Sequence, residues 1–204
     1  MTDNEEQVDI VDEECNVLFS TSKADAHAKG LLHRTVIAEI RDSKGNWILV
    51  KQASDRQDAG QYVSPVGGHV QVGETEEGAL KREALEEVGF TDFKYKLVGR
   101  AIFYREVLGR KENHYFVLFE IESDEKFVLG EEAVDFEFFS EAELAKQLID
   151  NPKKFGNAFF FVLKTFYPGL LKSREMTPTE TPASANPLRI RPQMVKKLQA
   201  GRPH

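Results

Sequence analysis

Residues 68–90 read GHVQVGETEEGALKREALEEVGF, and this loop-then-helix stretch decides how the rest of the chain is interpreted. It packs six carboxylates into one short segment. Glu83 is followed three and four residues later by Glu86 and Glu87, a spacing that gathers side chains on one helical face. Two carboxylates about 5 Å apart repel by roughly 3 kcal/mol at an effective dielectric near 20. A divalent ion with oxygen ligands, most simply Mg²⁺ or Mn²⁺, turns that cost into a binding site. Gly67 and Gly68 allow a tight turn and close approach to a ligand, and Gly73 ends the loop. Leu80, Ala84 and Val88, with Leu85 beside them, form an apolar stripe next to the acidic one. Gly78 is a poor helix former and marks close packing, Gly89 stops the helix, and Phe90 anchors it. Glu74 lies near the helix start, and Arg82 is placed to pair with Glu86 or brace a neighbouring acid.

The 204 residues suffice for one domain with a substantial core and short terminal additions. A hydrophobic fraction of 41% with 30% charged residues fits a globular protein, and no apolar run approaches a membrane span. The start, MTDNEEQVDI, has neither the basic nor the apolar region of a secretory signal. The single cysteine, Cys15, rules out an internal disulfide and a cysteine-rich zinc site, and reads as an N-terminal strand residue. These features favour the cytoplasm. A formal net charge of -7 argues against general nucleic-acid binding. It leaves room for a phosphorylated small molecule met by Lys51, Arg56, Arg100, Arg105, Arg110 or Lys111.

Outward from the acidic helix, VDIVDEECNVLFS reads as two short strands around an acidic turn, followed by a brief helix from Ser22 to Lys29 ended by Gly30. HRTVIAEIRD and WILVKQ form strands joined at SKGN, with Trp47, Leu49 and Lys51 pointing opposite to Ile48 and Val50. Downstream, FKYKLVGRAIFYREV and HYFVLFEIES are strands with LGRKEN as their turn. DFEFFS is a further strand, and EAELAKQL is a helix capped by Ser140. NAFFFVLKTFY is a last helix terminated by Pro168 and Gly169. The organisation expected is an N-terminal strand and helix extension at 1–31, a main domain at 32–170, and a Pro/Thr-rich linker with a basic tail at 171–204. Loops 52–64 and 104–113 are expected to set specificity, with Tyr62, Phe103, Tyr104 and Phe155 as candidate stacking residues.

Gly68, Glu74 and the run Arg82-Glu83-Ala84-Leu85-Glu86-Glu87-Val88-Gly89-Phe90 match every fixed position of the Nudix box. The chain therefore resembles the Nudix hydrolase superfamily. The resemblance implies an α/β/α sandwich with a mixed sheet and hydrolysis of a nucleoside diphosphate linked to another group, X. It implies Mg²⁺ or Mn²⁺ held by Glu83, Glu86 and Glu87, with Arg82 orienting a glutamate and Gly68, Glu74 and Gly89 shaping the box. The partner implied is a small-molecule diphosphate, with a homodimer left open.

The front half also resembles the isopentenyl-diphosphate isomerase branch of that superfamily. There, histidines and downstream acids build a second metal centre, and the matching positions are His27, His33, His69 and Glu112, with His114 where the branch has a glutamate. Two departures count against isomerase chemistry. Gly67-Gly68-His69 stands where the branch has Cys-Gly-His, and Glu112-Asn113-His114 stands where it has Glu-Asn-Glu. Moving a proton on and off an allylic carbon needs two placed acid–base groups, and Gly67 supplies none. An isomerase-like enzyme and a non-catalytic nucleotide-binding or protein-interaction module remain the alternatives.

Overall fold

Alternation along three strands sets the layers. The computed structural model describes residues 6–107 and 109–172. It begins with β1 (Gln7–Val11), β2 (Val17–Ser22), α1 (Lys23–Lys29), β3 (His33–Arg41) and β4 (Trp47–Gln52). Strands β5 (Tyr62–Val63) and β6 (Val66–His69) lead into α2 (Glu76–Val88). Long strands β7 (Lys94–Val107) and β8 (Arg110–Glu122) come next, then β9 (Ala133–Phe139), α3 (Glu141–Asp150), α4 (Asn157–Phe166) and α5 (Pro168–Lys172). On one face, Val36, Ala38 and Ile40 of β3, Ile48 and Val50 of β4, and Val117, Phe119 and Ile121 of β8 pack with Leu80, Ala84 and Val88 of α2. Their neighbours face the other way. Trp47 and Leu49 meet Leu144, Phe159 and Leu163, and Ile37, Phe116 and Leu118 meet Val162. Helices thus cover both faces of one sheet, the α/β/α arrangement.

Strand β3 is the hub. One edge runs parallel to β8, from His33 opposite His114 to Arg41 opposite Glu122. The other edge is shared in succession by three antiparallel partners: β1 at Ile10 and His33, β6 from Thr35 and His69 to Ala38 and Val66, and β4 at Ile40 and Ile48. The parallel pairing of β3 with β8 among antiparallel neighbours makes the sheet mixed. Strand β1 joins through that registered pair, a bridge between Val8 and Gln71, the Val11 N–H donated to the Leu32 carbonyl at 2.9 Å, and a small apolar cluster of Val8, Ile10 and Ala26.

Helix α2 ends where its sequence says it should. The Thr75 hydroxyl accepts the Gly78 N–H at 3.0 Å, and Gly89 closes the helix in the left-handed region at φ 76°. Phe90 is buried just beyond it. A side chain at Gly78 would press on Thr75 and Glu74, which accounts for glycine inside the first turn. Leu85, read as flanking the apolar stripe, is instead 53% exposed, and Ala79 takes the buried place.

Three further expectations change. Cys15 lies in a turn, not a strand, at φ 68°, where the Asp12 carboxylate accepts the Asn16 N–H at 2.8 Å and tightens the bend. The LGRKEN turn is shorter than read, because Arg110–Asn113 already pair with Tyr104–Val107 and Gly109 makes the turn. Pro168 stops α4 but also opens α5, since its missing N–H is tolerated in a first helical turn. The linker and basic tail lie outside the described residues after Lys172. No described helix is long and apolar enough to cross a membrane.

Candidate active site

The glutamates are placed by the glycines of β6. Gly68 is registered opposite Val36, so its missing side chain faces α2, and a Cβ there would collide with the Glu83 carboxylate. The Gly67 N–H donates to Glu87 Oε2 at 2.8 Å. Arg82 grips Glu74 with two nitrogens, Nε and Nη2, each at 3.0 Å, and Nη2 also reaches the His69 carbonyl at 2.9 Å. Its Nη1 donates to Glu83 at 2.5 Å and lies 3.4 Å from Glu86. Glu74 and Arg82 therefore form a clamp that aims Glu83, while Glu86 stands exposed at the rim. Burial pushes the Glu83 pKa up to about 7 although Arg82 opposes the shift. Burial, then the Glu83 charge, hold Glu87 well above the usual carboxylate range. Two such groups side by side favour either shared protons or a cation. Gly68→Ala is expected to displace Glu83 and weaken Mg²⁺ binding roughly tenfold or more; calorimetric titration giving unchanged affinity would contradict the cradle.

The histidines gather on the opposite face of the same strand. His33 and His114 are direct cross-strand neighbours, and His69 lies across from Thr35, one two-residue step along β3. That places three imidazoles on one face of the sheet, and His27 of α1 covers them. All four offer ligand nitrogens within 4.8 Å of one another. His33 Nδ1 faces the Leu31 carbonyl at 2.8 Å, which directs a lone pair on Nε2 toward the other rings. The Nε2 atoms of His33, His69 and His114 are buried without a hydrogen-bond partner. Burial lowers the His33 pKa. Burial and neighbouring imidazoles hold His69 and His114 well below the usual histidine range. Glu112 does not join this group: its buried carboxylate accepts a hydrogen bond from Gln57.

One cavity of about 850 Å³ touches both clusters. Glu83, Glu86 and Glu87 line one part of it, with Glu132 beside them, and His27, His69 and His114 line another. Its apolar wall includes Ile37, Phe103 and Phe116. Of the basic candidates, Arg56, Arg105 and Arg110 reach it, whereas Lys51, Arg100 and Lys111 do not. Arg56 pairs with Glu132 at 2.9 Å, and Arg105 forks onto Asp58 at 2.9 and 3.2 Å. Of the candidate stacking residues only Phe103 lines the cavity, and Phe155 belongs to the core. Glu132 and Asp58 escaped the sequence reading because each sits in a loop with no periodic or motif signal.

Residues 31–159 match the NUDIX domain family model, and the chain belongs to that family. A Yersinia pestis uncharacterized Nudix hydrolase is 33% identical over 132 residues, which cover 64% of this chain and 70% of that one. An isopentenyl-diphosphate Delta-isomerase 2 of Photorhabdus laumondii is 40% identical over 96 residues, 47% of this chain but only 54% of that relative. The isopentenyl-diphosphate Delta-isomerase of Serratia proteamaculans is 29% identical, covering 78% of this chain and 90% of that one. Among solved structures, one from Deinococcus radiodurans shares the fold with a TM-score of 0.65 at 20% identity, covering 79% of this chain and 99% of its own. The MutT protein of Methanosarcina mazei gives 0.54 at 22% identity, covering 71% and 96%. The mixed-sheet sandwich is that of a Nudix protein.

Proposed function

We propose that this chain is a divalent-metal-dependent hydrolase that cleaves the pyrophosphate bond of a nucleoside diphosphate derivative or related diphosphate. The observation that carries this reading is the pair Glu83 and Glu87, both with raised pKa values, turned into one cavity by Gly67, Gly68 and Arg82. Glu83, Glu86 and Glu87 would hold Mg²⁺ or Mn²⁺, which, when bound, neutralises phosphate oxygens and acidifies a water. A carboxylate of this trio accepts the proton that water loses. Arg82, locked onto Glu74, keeps Glu83 aimed while that proton moves. Arg110 reaches the cavity with no ion-pair partner among the described residues and is the cation available to a substrate phosphate. The four histidines hold a second divalent ion.

Prenyl-diphosphate isomerisation is the second reading, favoured by the relatives named as isomerases. Against it, Gly67 carries no side chain although a Cβ there would meet only ordinary contacts at 3.7 and 3.8 Å. The acid–base group is missing from a place with room for it. A screen of nucleoside diphosphate derivatives, dinucleotides and prenyl diphosphates, with Mg²⁺ and Mn²⁺, separates the readings. Metal-dependent release of phosphate or a monophosphate is the expected result. A prenyl isomer formed without phosphate release establishes the isomerase, and binding without turnover establishes a non-catalytic module.

A further inference from the structure

We propose that Ser64, its hydroxyl held by the buried Glu39 carboxyl, selects the group X of the substrate by accepting a hydrogen bond from an O–H or N–H on it. A hydroxyl- or amino-bearing X is thereby favoured over a plain hydrocarbon. The inference rests on the diphosphate reading above and names the class of X.

Strand alternation places the pair. Thr35, Ile37 and Glu39 are successive residues on one face of β3, the face that α4 covers. Thr35 and Ile37 line the cavity, together with Phe103 of β7, Phe116 of β8 and Phe159 of α4. Phe103 and Phe116 stack there, with ring centroids 5.2 Å apart at 22°. Helix α2, which carries the metal-facing glutamates, packs on the opposite face of the sheet. The apolar side of the cavity therefore suits the organic end of a diphosphate. Ser64, between β5 and β6, also lines the cavity, and its hydroxyl donates to Glu39 Oε1 at 2.6 Å.

Packing gives no reason for a carboxyl at position 39. The preceding pair on that face, Ile37 opposite Leu118, is apolar. Glu39 is 0% exposed and stands in register with a second acid, Glu120. Glu120 takes the surrounding donors, with Lys96 at 2.6 Å, Tyr167 at 3.2 Å and Arg41 at 3.5 Å. Oε2 of Glu39 is left buried without a hydrogen-bond partner. A buried acid so poorly matched to its layer marks a functional position. What it accomplishes is to fix the Ser64 proton. A hydroxyl carries one proton and two lone pairs, so a proton committed to Glu39 leaves Ser64 an acceptor toward the cavity. A sugar or base brings a donor to that acceptor, whereas a hydrocarbon leaves it unpaired. Sites built to hydrogen-bond a substrate group reject analogues that lack it.

The test measures calorimetric affinities at pH 8, above the Glu39 pKa of about 7, for three non-hydrolysable probes with Mg²⁺. They are α,β-methylene-ADP, whose nucleoside bears hydroxyl and amino donors, an alkyl ester of methylenediphosphonate, and methylenediphosphonate alone. Ser64→Ala is expected to weaken the nucleotide probe roughly tenfold and the other two less than about twofold. Ser64→Thr keeps the hydroxyl and should stay within about threefold of wild type. Glu39→Gln, an isosteric change, should weaken the nucleotide probe roughly threefold or more alone and not at all in a Ser64→Ala background. Unchanged affinity for methylenediphosphonate shows that each variant is folded. Equal weakening of all three probes by Ser64→Ala, or none, overturns the assignment of Ser64. A Glu39→Gln effect that persists without the Ser64 hydroxyl overturns the positioning role of Glu39. Tighter binding of the alkyl ester than of α,β-methylene-ADP overturns the class of X. Binding of none of the probes rejects this inference together with the diphosphate reading. Ser64-dependent binding without hydrolysis of any diphosphate derivative sinks the hydrolase reading and leaves the specificity residue standing.

Discussion

Glu87→Gln should lower Mg²⁺-dependent turnover by at least about 100-fold while raising the thermal midpoint of the metal-free protein at neutral pH. Both effects have one origin. The Glu87 carboxyl is pushed above its ordinary range by burial and by Glu83, so its ionised form is disfavoured until a cation arrives. A glutamine is already neutral, and its carbonyl oxygen still accepts the Gly67 N–H that now meets Oε2. The substitution therefore relieves the apo protein and withdraws a charged oxygen from the metal. Phosphate-release kinetics and metal-free thermal scans are the two measurements. Turnover equal to wild type would remove Glu87 from the site, and a large drop in the midpoint would mean that its role is structural. Glu86→Gln should lose turnover similarly but leave the midpoint nearly unchanged, because Glu86 is exposed.

A second large effect comes from Glu39, outside the cavity lining. Its carboxyl is fully buried, accepts the Ser64 hydroxyl at 2.6 Å on Oε1, and has no partner on Oε2. Burial raises its pKa from 4.5 to about 7, partly offset by the Ser64 bond and by Arg41. The folded chain thus keeps a proton that the unfolded chain releases near 4.5. Stability falls as pH rises through the window from about 4.5 to 7 and levels off above it. The full swing is about 3 kcal/mol. Glu83 and Glu87 shift in the same direction when no metal is bound, and the depressed histidines oppose them by losing stability as pH falls. The readable quantity is therefore wild type minus Glu39→Gln. Denaturant midpoints between pH 4.5 and 8 should show a pH dependence in that difference, and a flat difference would place the Glu39 pKa at its ordinary value.

What could be read in advance divides along physical lines. The glutamate box was legible because a single helix with its own caps carries it, so spacing alone fixes which acids share a face. The directions of Trp47, Ile48, Leu49 and Val50 were legible for the same local reason, and they sort between two apolar layers as alternation predicts. The histidine cluster was different. His33 and His114 meet only through the parallel register of β3 and β8, which no local pattern encodes, and family resemblance alone pointed to them. Resemblance also grouped Glu112 with them, but Gln57, from a loop without periodicity, engages that carboxylate. Glu39 passed as an ordinary polar position in an alternating strand. Its burial follows from both sheet faces being covered, which the pattern HRTVIAEIRD does not state. Leu85 failed for the converse reason, because apolar character at the edge of a helical stripe does not guarantee a neighbour to cover it.

Gly68 and His69 are consecutive, and a pleated backbone sends them to opposite sides of the same ribbon, one making room for Glu83 and the other joining the imidazoles. The carbonyl of His69 is also tethered to Arg82, so the two environments share a wall one strand thick. Inserting a single residue ahead of Gly68 would present the ring to the acids and the bare backbone to the histidines, spoiling both at a stroke. In a lineage of such proteins, neither chemistry can slide along that wall by itself, and an indel here would be purged even where each centre separately tolerates substitution.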